Sequence, residues 1–440
     1  MKKKLLPALI VTGLIILVVI IMGITALINK YTPTKKTEDL KEYFNISSDD
    51  EAALIVDNEL SDYKAKIIDK KIYVDYKFVH DSLNSRFYWD ANENVLLYTT
   101  ASDIISAAAD SNSYSVTKQT NDFGYPIVKA TSDSALIALD YVKQYSNITF
   151  KSYDDPARIV ITSKWDEIDS ATVSKSTQVR VKGGIKSPIL KEVKKDDKIT
   201  ILDSGDKWDK IATEDGVIGY IKGKALSESK KTKLTNPDYE EETFTHIKKD
   251  KDICLAWNQV TSQSANSKVP QVISSTKGIN VMSPTWFYLN DNNGNLADIA
   301  SKDYVSYCHS QGIEVWGLFS NFENTDVDAA YVLTHTSTRT TLINQIMSAA
   351  FNYELDGVNI DFENITEAAY GDSYIEFIRE LAIKCHNNGI SLSVDVTVPA
   401  SFNKFFNRSD MANFADYIVI MGYDEHYKAL MPAQFLPFRG

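Results

Sequence analysis

The chain has 440 residues, 44% of them hydrophobic, an ordinary composition for a folded protein and enough length for several domains. A formal net charge of −12 opposes nucleic acid as a partner. The three cysteines, Cys254, Cys308 and Cys385, show neither a disulfide framework nor metal-ligand spacing; they read as buried free thiols, and neither a metal nor another cofactor is expected.

At the start, MKKK precedes LLPALIVTGLIILVVIIMGITALI, an uncharged run long enough to span a bilayer. A cleavable signal peptide is the competing reading, but its apolar region should be shorter and end at small residues, whereas bulky ALINKY follows here. Lys2, Lys3 and Lys4 favour a cytoplasmic N-terminus, an asymmetry weakened by Lys30, Lys35 and Lys36. Residues 1–30 are therefore expected to be a single-pass anchor in the cell membrane, residues 31–43 a stalk, and the rest extracellular.

Residues 44–166 contain a loose internal repeat. The stretch 70–100 and the stretch 135–163 share the order strand, helix-like segment, strand, turn, strand, and Trp89-Asp90 aligns with Tyr153-Asp154. This α+β region resembles the copper amine oxidase N-terminal-like domain of bacterial surface proteins. Copper is not implied, since the region holds one histidine, His80, and no cysteine; a binding or spacer role is expected.

In residues 170–228 short β-branched strands alternate with GG, DSGD and EDG turns, which predicts a small β-barrel. The order Val179-Arg180-Val181, Ile199-Thr200-Ile201-Leu202, Trp208-Asp209-Lys210-Ile211 and Gly219-Tyr220-Ile221 is similar to a bacterial SH3-type domain. That resemblance implies cell-wall peptides as partners, with Trp208 either core or ligand platform. Residues 229–248 read as a linker.

From residue 249 onward strands and helices alternate, the pattern of an α/β fold with a parallel sheet. Strands are expected at 252–257, 279–289, 313–319, 357–363, 391–398 and 417–424, with helical segments at 296–312, 338–355 and 373–389. The serial strand-helix order suggests a (β/α)8 TIM-type barrel. An open doubly wound sheet is the alternative, although no Gly-rich phosphate loop follows any strand.

Residues 356–363 read DGVNIDFE. On a strand Asn359, Asp361 and Glu363 share one face, and Val358, Ile360 and Phe362 the other. A barrel would turn the polar set to its lumen and place Glu363 at the strand's C-terminal end, where barrel enzymes hold their chemistry. Neighbouring carboxylates raise the pKa of one of them, which would keep Glu363 protonated as a general acid. On spacing alone, a merely solvated strand end remains the other reading.

DGVNIDFE resembles the DxxDxDxE signature of glycoside hydrolase family 18, with Asp356, Asp361 and Glu363 on matching positions. IVIMGYDEHY (418–427) is similar to the family's sixth-strand Met-x-Tyr-Asp segment, here Met421, Tyr423 and Asp424, and SPTWFYL (283–289) to its second strand. The resemblance covers roughly residues 250–430. It implies substrate-assisted, retaining cleavage of a β-1,4 bond beside an N-acetylated sugar, in which Glu363 protonates the leaving oxygen, Asp361 orients the substrate acetamide and Tyr423 hydrogen-bonds its carbonyl. Asp356 and Asn359 would support the site. Met421, Asp424 and Trp286 would touch sugar, with barrel packing the alternative for Trp286. Where the family has a middle Asp this chain has Asn359, which can donate a hydrogen bond to Asp361 but cannot share charge or relay a proton. That variant resembles the branch acting on bacterial wall and spore cortex, so the expected polymer partner is peptidoglycan ahead of chitin.

The expected architecture is thus multidomain: a membrane helix, an α+β domain, an SH3-type β-barrel and a catalytic barrel over 249–440 that stops after strand six. The ending HYKALMPAQFLPFRG reads poorly as barrel sequence, and a frameshift near Lys428 is expected. The alternative function is a catalytically impaired wall-binding or scaffolding protein. Translating the gene beyond Lys428 in the other frames should reveal two further strand-helix units; their absence from every frame would remove the frameshift.

Overall fold

The computed structural model describes residues 2–363, 365, 370–403 and 405–422. Tyr423, Asp424 and the tail that suggested a frameshift lie outside them. The chain forms two compact units, residues 1–75 with 139–240, and residues 76–138 with 241–440. The region 44–166, expected as one domain, contributes to both.

In the first unit a helix runs from Lys2 to Tyr31. Its segment Leu9–Tyr31 is long and apolar enough to cross a membrane. The stretch expected as a stalk is pinned: Glu38 N–H donates to Ile189 O and Ile189 N–H to Lys36 O, and Asp39 caps a short helix, Leu40–Tyr43. Strands Thr149–Tyr153, Arg158–Thr162, Glu51–Val56, Glu59–Ile68 and Lys71–Asp75 lie side by side in that order. The region expected as a small β-barrel supplies most of a seven-stranded antiparallel sheet, from Glu167–Thr172 to Lys230–Lys233. That last strand falls in the expected linker. Its backbone pairs with Glu167–Ser170, and the Thr232 hydroxyl lies 2.7 Å from that of Ser170. Phe44, Ala53, Ile55, Val179, Ile211 and Ile221 form one core in this unit.

The second unit contains an antiparallel meander, β1 (Phe87–Asp90), β2 (Val95–Thr99), β3 (Ile104–Ala108), β4 (Ser113–Val116) and β5 (Gln119–Asp122). Among the described residues it also contains six parallel strands whose order across the sheet follows the chain: β6 (Leu255–Asn258), β7 (Val281–Leu289), β8 (Glu314–Ser320), β9 (Gly357–Asp361), β10 (Ser391–Thr397) and β11 (Tyr417–Met421). Serial order is that of a β/α barrel, since a doubly wound sheet reverses direction at a switch point. The helices between them include α1 (Lys302–Ser310), α2 (Thr336–Tyr353), α3 (Gly371–His386) and α4 (Arg408–Phe414). Residues 296–298, expected to begin a helix, instead pair antiparallel with 287–289. Of the cysteines, Cys308 and Cys385 are buried thiols, whereas Cys254 is exposed.

The two hairpins that suggested a repeat both exist: Asp90 pairs with Val95 across one turn and Tyr153 with Arg158 across the other. The first of them caps a helix. Asp90 accepts from Thr336 N–H at 2.7 Å and from its hydroxyl at 2.6 Å, and Glu93 accepts from Ser337 N–H at 3.1 Å. Two carboxylates thereby satisfy free N–H groups at the positive end of α2, whose own preceding residue, His335, supplies no side-chain cap.

The meander lies on α3, and charged residues on that helix are buried. Glu376 accepts from the Thr99 hydroxyl at 2.8 Å and from Arg379 Nη1 at 2.9 Å, and Arg379 also pairs with Asp410. Arg339, fully buried, donates from Nε to Glu380 at 3.0 Å and stacks 5.0 Å over the Tyr88 ring. Removing one partner of such a pair strands the other charge in a dry site. Arg339→Met should therefore lower the unfolding free energy by about 3–5 kcal/mol, read by urea denaturation, and adding Glu380→Leu should restore part of the loss.

Candidate functional site

Along β9 the alternation is physical. Val358, Ile360 and Phe362 are buried in the core shared with α2 and α3, which leaves Asn359 and Asp361 on the opposite face of the sheet. Glu363, two residues beyond the strand, is exposed, and its N–H donates to Asn321 Oδ1 at 3.1 Å. Exposure therefore rises along one row, from Asn359 at 0% through Asp361 at 9% to Glu363.

Asn359 is the best-connected member of that row. Its Oδ1 accepts from Trp257 Nε1 at 3.0 Å and from the Ser283 hydroxyl at 2.9 Å, and its Nδ2 donates to Asp395 Oδ1 at 2.9 Å. An indole N–H can only donate, so it fixes which end of the amide is oxygen. These contacts join β9 to β6, β7 and β10.

Asp395 was not singled out by sequence reasoning. It sits on β10 on the same face as Ser393, while Leu392, Val394 and Val396 enter the core. Burial pushes its carboxyl up to about 8; the hydrogen bond from Asn359 opposes the rise, and the charge of Asp361 adds to it. Trp257 was also missed: its indole is anchored to Asn359 while the residue stays 40% exposed, at the C-terminal part of the first parallel strand. Phe322 is likewise exposed, just beyond β8. In the sequence, the one signal for Trp257 was an aromatic at the end of a strand in a sheet whose strand ends carry the site.

The remaining expected site residues divide. Met421 is buried at the end of β11, opposite Thr397 of β10. Asp356 stands at the other end of β9, where its Oδ2 accepts from Val315 N–H at 2.8 Å and lies 2.8 Å from His309 Nε2. It fixes the start of β8 against the end of α1 and does not join Asp361 and Glu363. Trp286 has no exposed surface; its Nε1 donates to Asn266 at 2.8 Å and its ring packs edge-on against Tyr304 of α1, 4.8 Å between centroids. Of its two expected roles, sugar contact and barrel packing, its burial fits packing: β7 bulges at Trp286 against β8, and Trp286 and Phe287 both enter the core.

What the face can do chemically follows from its groups: an accessible carboxyl on Glu363, a more shielded one on Asp361, and a neutral amide and a buried carboxyl behind them. Among the described residues no group of three or more His, Cys, Asp or Glu could hold a metal ion. The arrangement suits proton donation to a ligand bound across the strand ends, with Asp361 as hydrogen-bond acceptor.

Residues 319–434 match the family model of glycosyl hydrolases family 18. The "Uncharacterized glycosylase YvbX" of Bacillus subtilis is 24% identical over 150 residues, 31% of this chain and 42% of that one. A second protein of that organism, YdhD, is 29% identical over 110 residues, 24% of this chain and 26% of that one. Among solved structures, the spore cortex-lytic enzyme SleL of Bacillus cereus aligns with 19% identity over 41% of this chain and 42% of its own, at a TM-score of 0.35. The chain thus spans less than half the length of the curated relatives it matches. The family match and the glycosylase relative together support a glycosidase.

Trp286→Ala should lower stability by about 3–5 kcal/mol, measured by denaturant unfolding, while leaving the KM for any glycan it processes unchanged in the folded fraction. A raised KM with little stability loss would return Trp286 to the sugar site.

Proposed function

We propose that this chain is a membrane-anchored glycoside hydrolase that cleaves β-1,4 bonds of an N-acetylglucosamine-containing polymer, peptidoglycan ahead of chitin, by a substrate-assisted retaining mechanism. The observation that carries the reading is the placement of Asp361 and Glu363 at the C-terminal end of the fourth of six serial parallel strands. The match of residues 319–434 to glycosyl hydrolases family 18 supports it.

In this mechanism Glu363, open to solvent, protonates the glycosidic oxygen as the bond to the anomeric carbon breaks. The acetamide oxygen of the same sugar attacks that carbon from the opposite face, forming an oxazolinium-like ring. Asp361 accepts the acetamide N–H and stabilises the positive charge that grows there. The Tyr423 hydroxyl donates to the acetamide oxygen and aligns it. Glu363, now a carboxylate, then takes a proton from the water that opens the ring with retention.

Three features favour a wall polymer: the apolar N-terminal helix, which would hold the remainder outside the membrane; Asn359 in place of the family's middle Asp; and the SH3-type segment. In that segment a cleft of about 680 Å³ is lined by Trp208, Asp206, Asp209, Lys222 and Lys224. Lys222 Nζ sits 5.7 Å over the Trp208 ring, so the indole is a platform flanked by both signs of charge. Wall peptides, which carry carboxylates and amines on a short chain, suit such a cleft.

The full chain in detergent micelles should release reducing ends from peptidoglycan faster than from chitin, and Glu363→Gln should reduce that release about 10²–10⁴-fold. Equal activity of both proteins would remove Glu363 from its role. Absence of activity on peptidoglycan, spore cortex and chitin alike would favour the wall-binding alternative.

A further inference from the structure

We propose that Asp395 is a positioning residue of this site: a carboxyl held neutral on β10 that braces Asn359 and leaves the negative charge of the site on Asp361. The proposal rests on the glycosidase reading above.

The geometry begins with the amide. Trp257 and Ser283 both donate to Asn359 Oδ1, so the amide nitrogen must face Asp395, 2.9 Å away. An amide N–H accepts either state of the carboxyl as its partner, so this contact does not require Asp395 to be charged. Asp395 is 4% exposed. Its Oδ2 is buried with no hydrogen-bond partner, and no ion pair reaches the residue among the described residues. A buried carboxylate with only neutral N–H donors, from Asn359 and Trp257, and one bare oxygen is costly, whereas the carboxylic acid places its proton on that second oxygen.

The groups facing Asp395 push the same way. From β9 and its end come Asp361, whose negative charge disfavours a further one, and Glu363, the protonated acid; Asn359 and Trp257 contribute only N–H donors. From α3 comes Tyr374, fully buried, its phenol itself pushed far up chiefly by burial. Among the described residues no cation stands with these groups. Burial, then, sets the state of Asp395: protonated through neutral pH, with its carboxyl leaving the lower range only near 8.

The consequence for the reaction is electrostatic. Asp361 must stay ionised to accept the acetamide N–H while Glu363 keeps its proton. A charge on Asp395 would oppose the first condition by raising the pKa of Asp361. A neutral Asp395 removes that repulsion and still anchors the amide. Asn359 and Asp395 together thus act as an uncharged pair behind the two working carboxyls.

Two measurements on the full chain in micelles test this. The first is thermal unfolding of wild type and Asp395→Asn between pH 5 and 9. In the unfolded chain the carboxyl titrates near 3.8 and in the fold near 8. Between those values the folded state binds the extra proton, so wild type loses stability as pH rises. The advantage of Asp395→Asn over wild type should grow from pH 5 to about 8 and level off above it; a difference that stays flat across pH 5–8 would overturn the neutral state, whether or not the protein is active. The second is the pH–rate profile. Asp395→Asn should keep the pH 6 rate within a few-fold of wild type and leave the acid limb, set by ionisation of Asp361, where it is, while Asp395→Ala should lose about tenfold or more in kcat. An acid limb moved to lower pH in the Asn variant, the mark of a charge lost from Asp395, or an Asn variant as inactive as the Ala variant, would overturn the proposal. If wild type releases no reducing ends from any polymer, the glycosidase reading and the catalytic part of this proposal fall together, and the unfolding series still reports the protonation state.

Discussion

The amide of Asn359 is the constraint on which the face carrying Asp361 and Glu363 depends. It makes three hydrogen bonds to Trp257, Ser283 and Asp395, and so ties the fourth parallel strand to the first, second and fifth. A carboxylate at that position would keep both donors but lose the N–H that Asn359 gives to Asp395. An apolar residue would take this partner from the buried Ser283 hydroxyl and the buried Asp395 carboxyl, each at a cost of about 1–3 kcal/mol. The Asn at this position is therefore matched by a partner on a neighbouring strand.

A second buried polar layer lies on the far side of the helices. Where an outer barrel helix would ordinarily meet water, α3 carries Glu376, Arg379 and Glu380 in an enclosed environment, and the meander supplies the Thr99 and Tyr88 hydroxyls that contact it. The hairpin of Asp90 and Glu93 caps α2 from the same side. Because the cover is polar, it fixes a register: each carboxylate has to meet its own donor, and a slipped meander would leave buried charges unpaired. The segment 76–138 is thereby a structural part of the unit that holds the site.

How much of this was legible in the sequence depended on the range of the interaction. Alternation within DGVNIDFE places Val358 and Ile360 in the core and Asn359 and Asp361 opposite, because a strand's period is local. The serial parallel sheet followed from the strand-helix rhythm. Trp286 was left open because aromatics suit both sugar stacking and packing; the missing fact was a bulge in β7 at that residue, which lets Trp286 and Phe287 both enter the core. Asp356 matched a motif position, yet its partners Val315 and His309 belong to the opposite end of the strand. Asp395 and Trp257 escaped notice because their significance lies in partners that only the fold brings together. For the same reason the meander was assigned to its sequence neighbours and not to α2 and α3.

Along β9 the chain also sets a gradient of solvation. A strand advances about 6.6–6.8 Å for every two residues, so Asn359, Asp361 and Glu363 sample successive depths of one face, from fully buried to exposed. At the deep end a charge is too costly, and an amide occupies the position with a carboxyl of raised pKa beside it. At the outer end a carboxyl is open to water. Asp361 lies between them, shielded but not at the bottom of the face. The order of amide, shielded carboxyl and exposed carboxyl thus follows depth along a single strand, and the identity of each side chain suits the depth at which it sits.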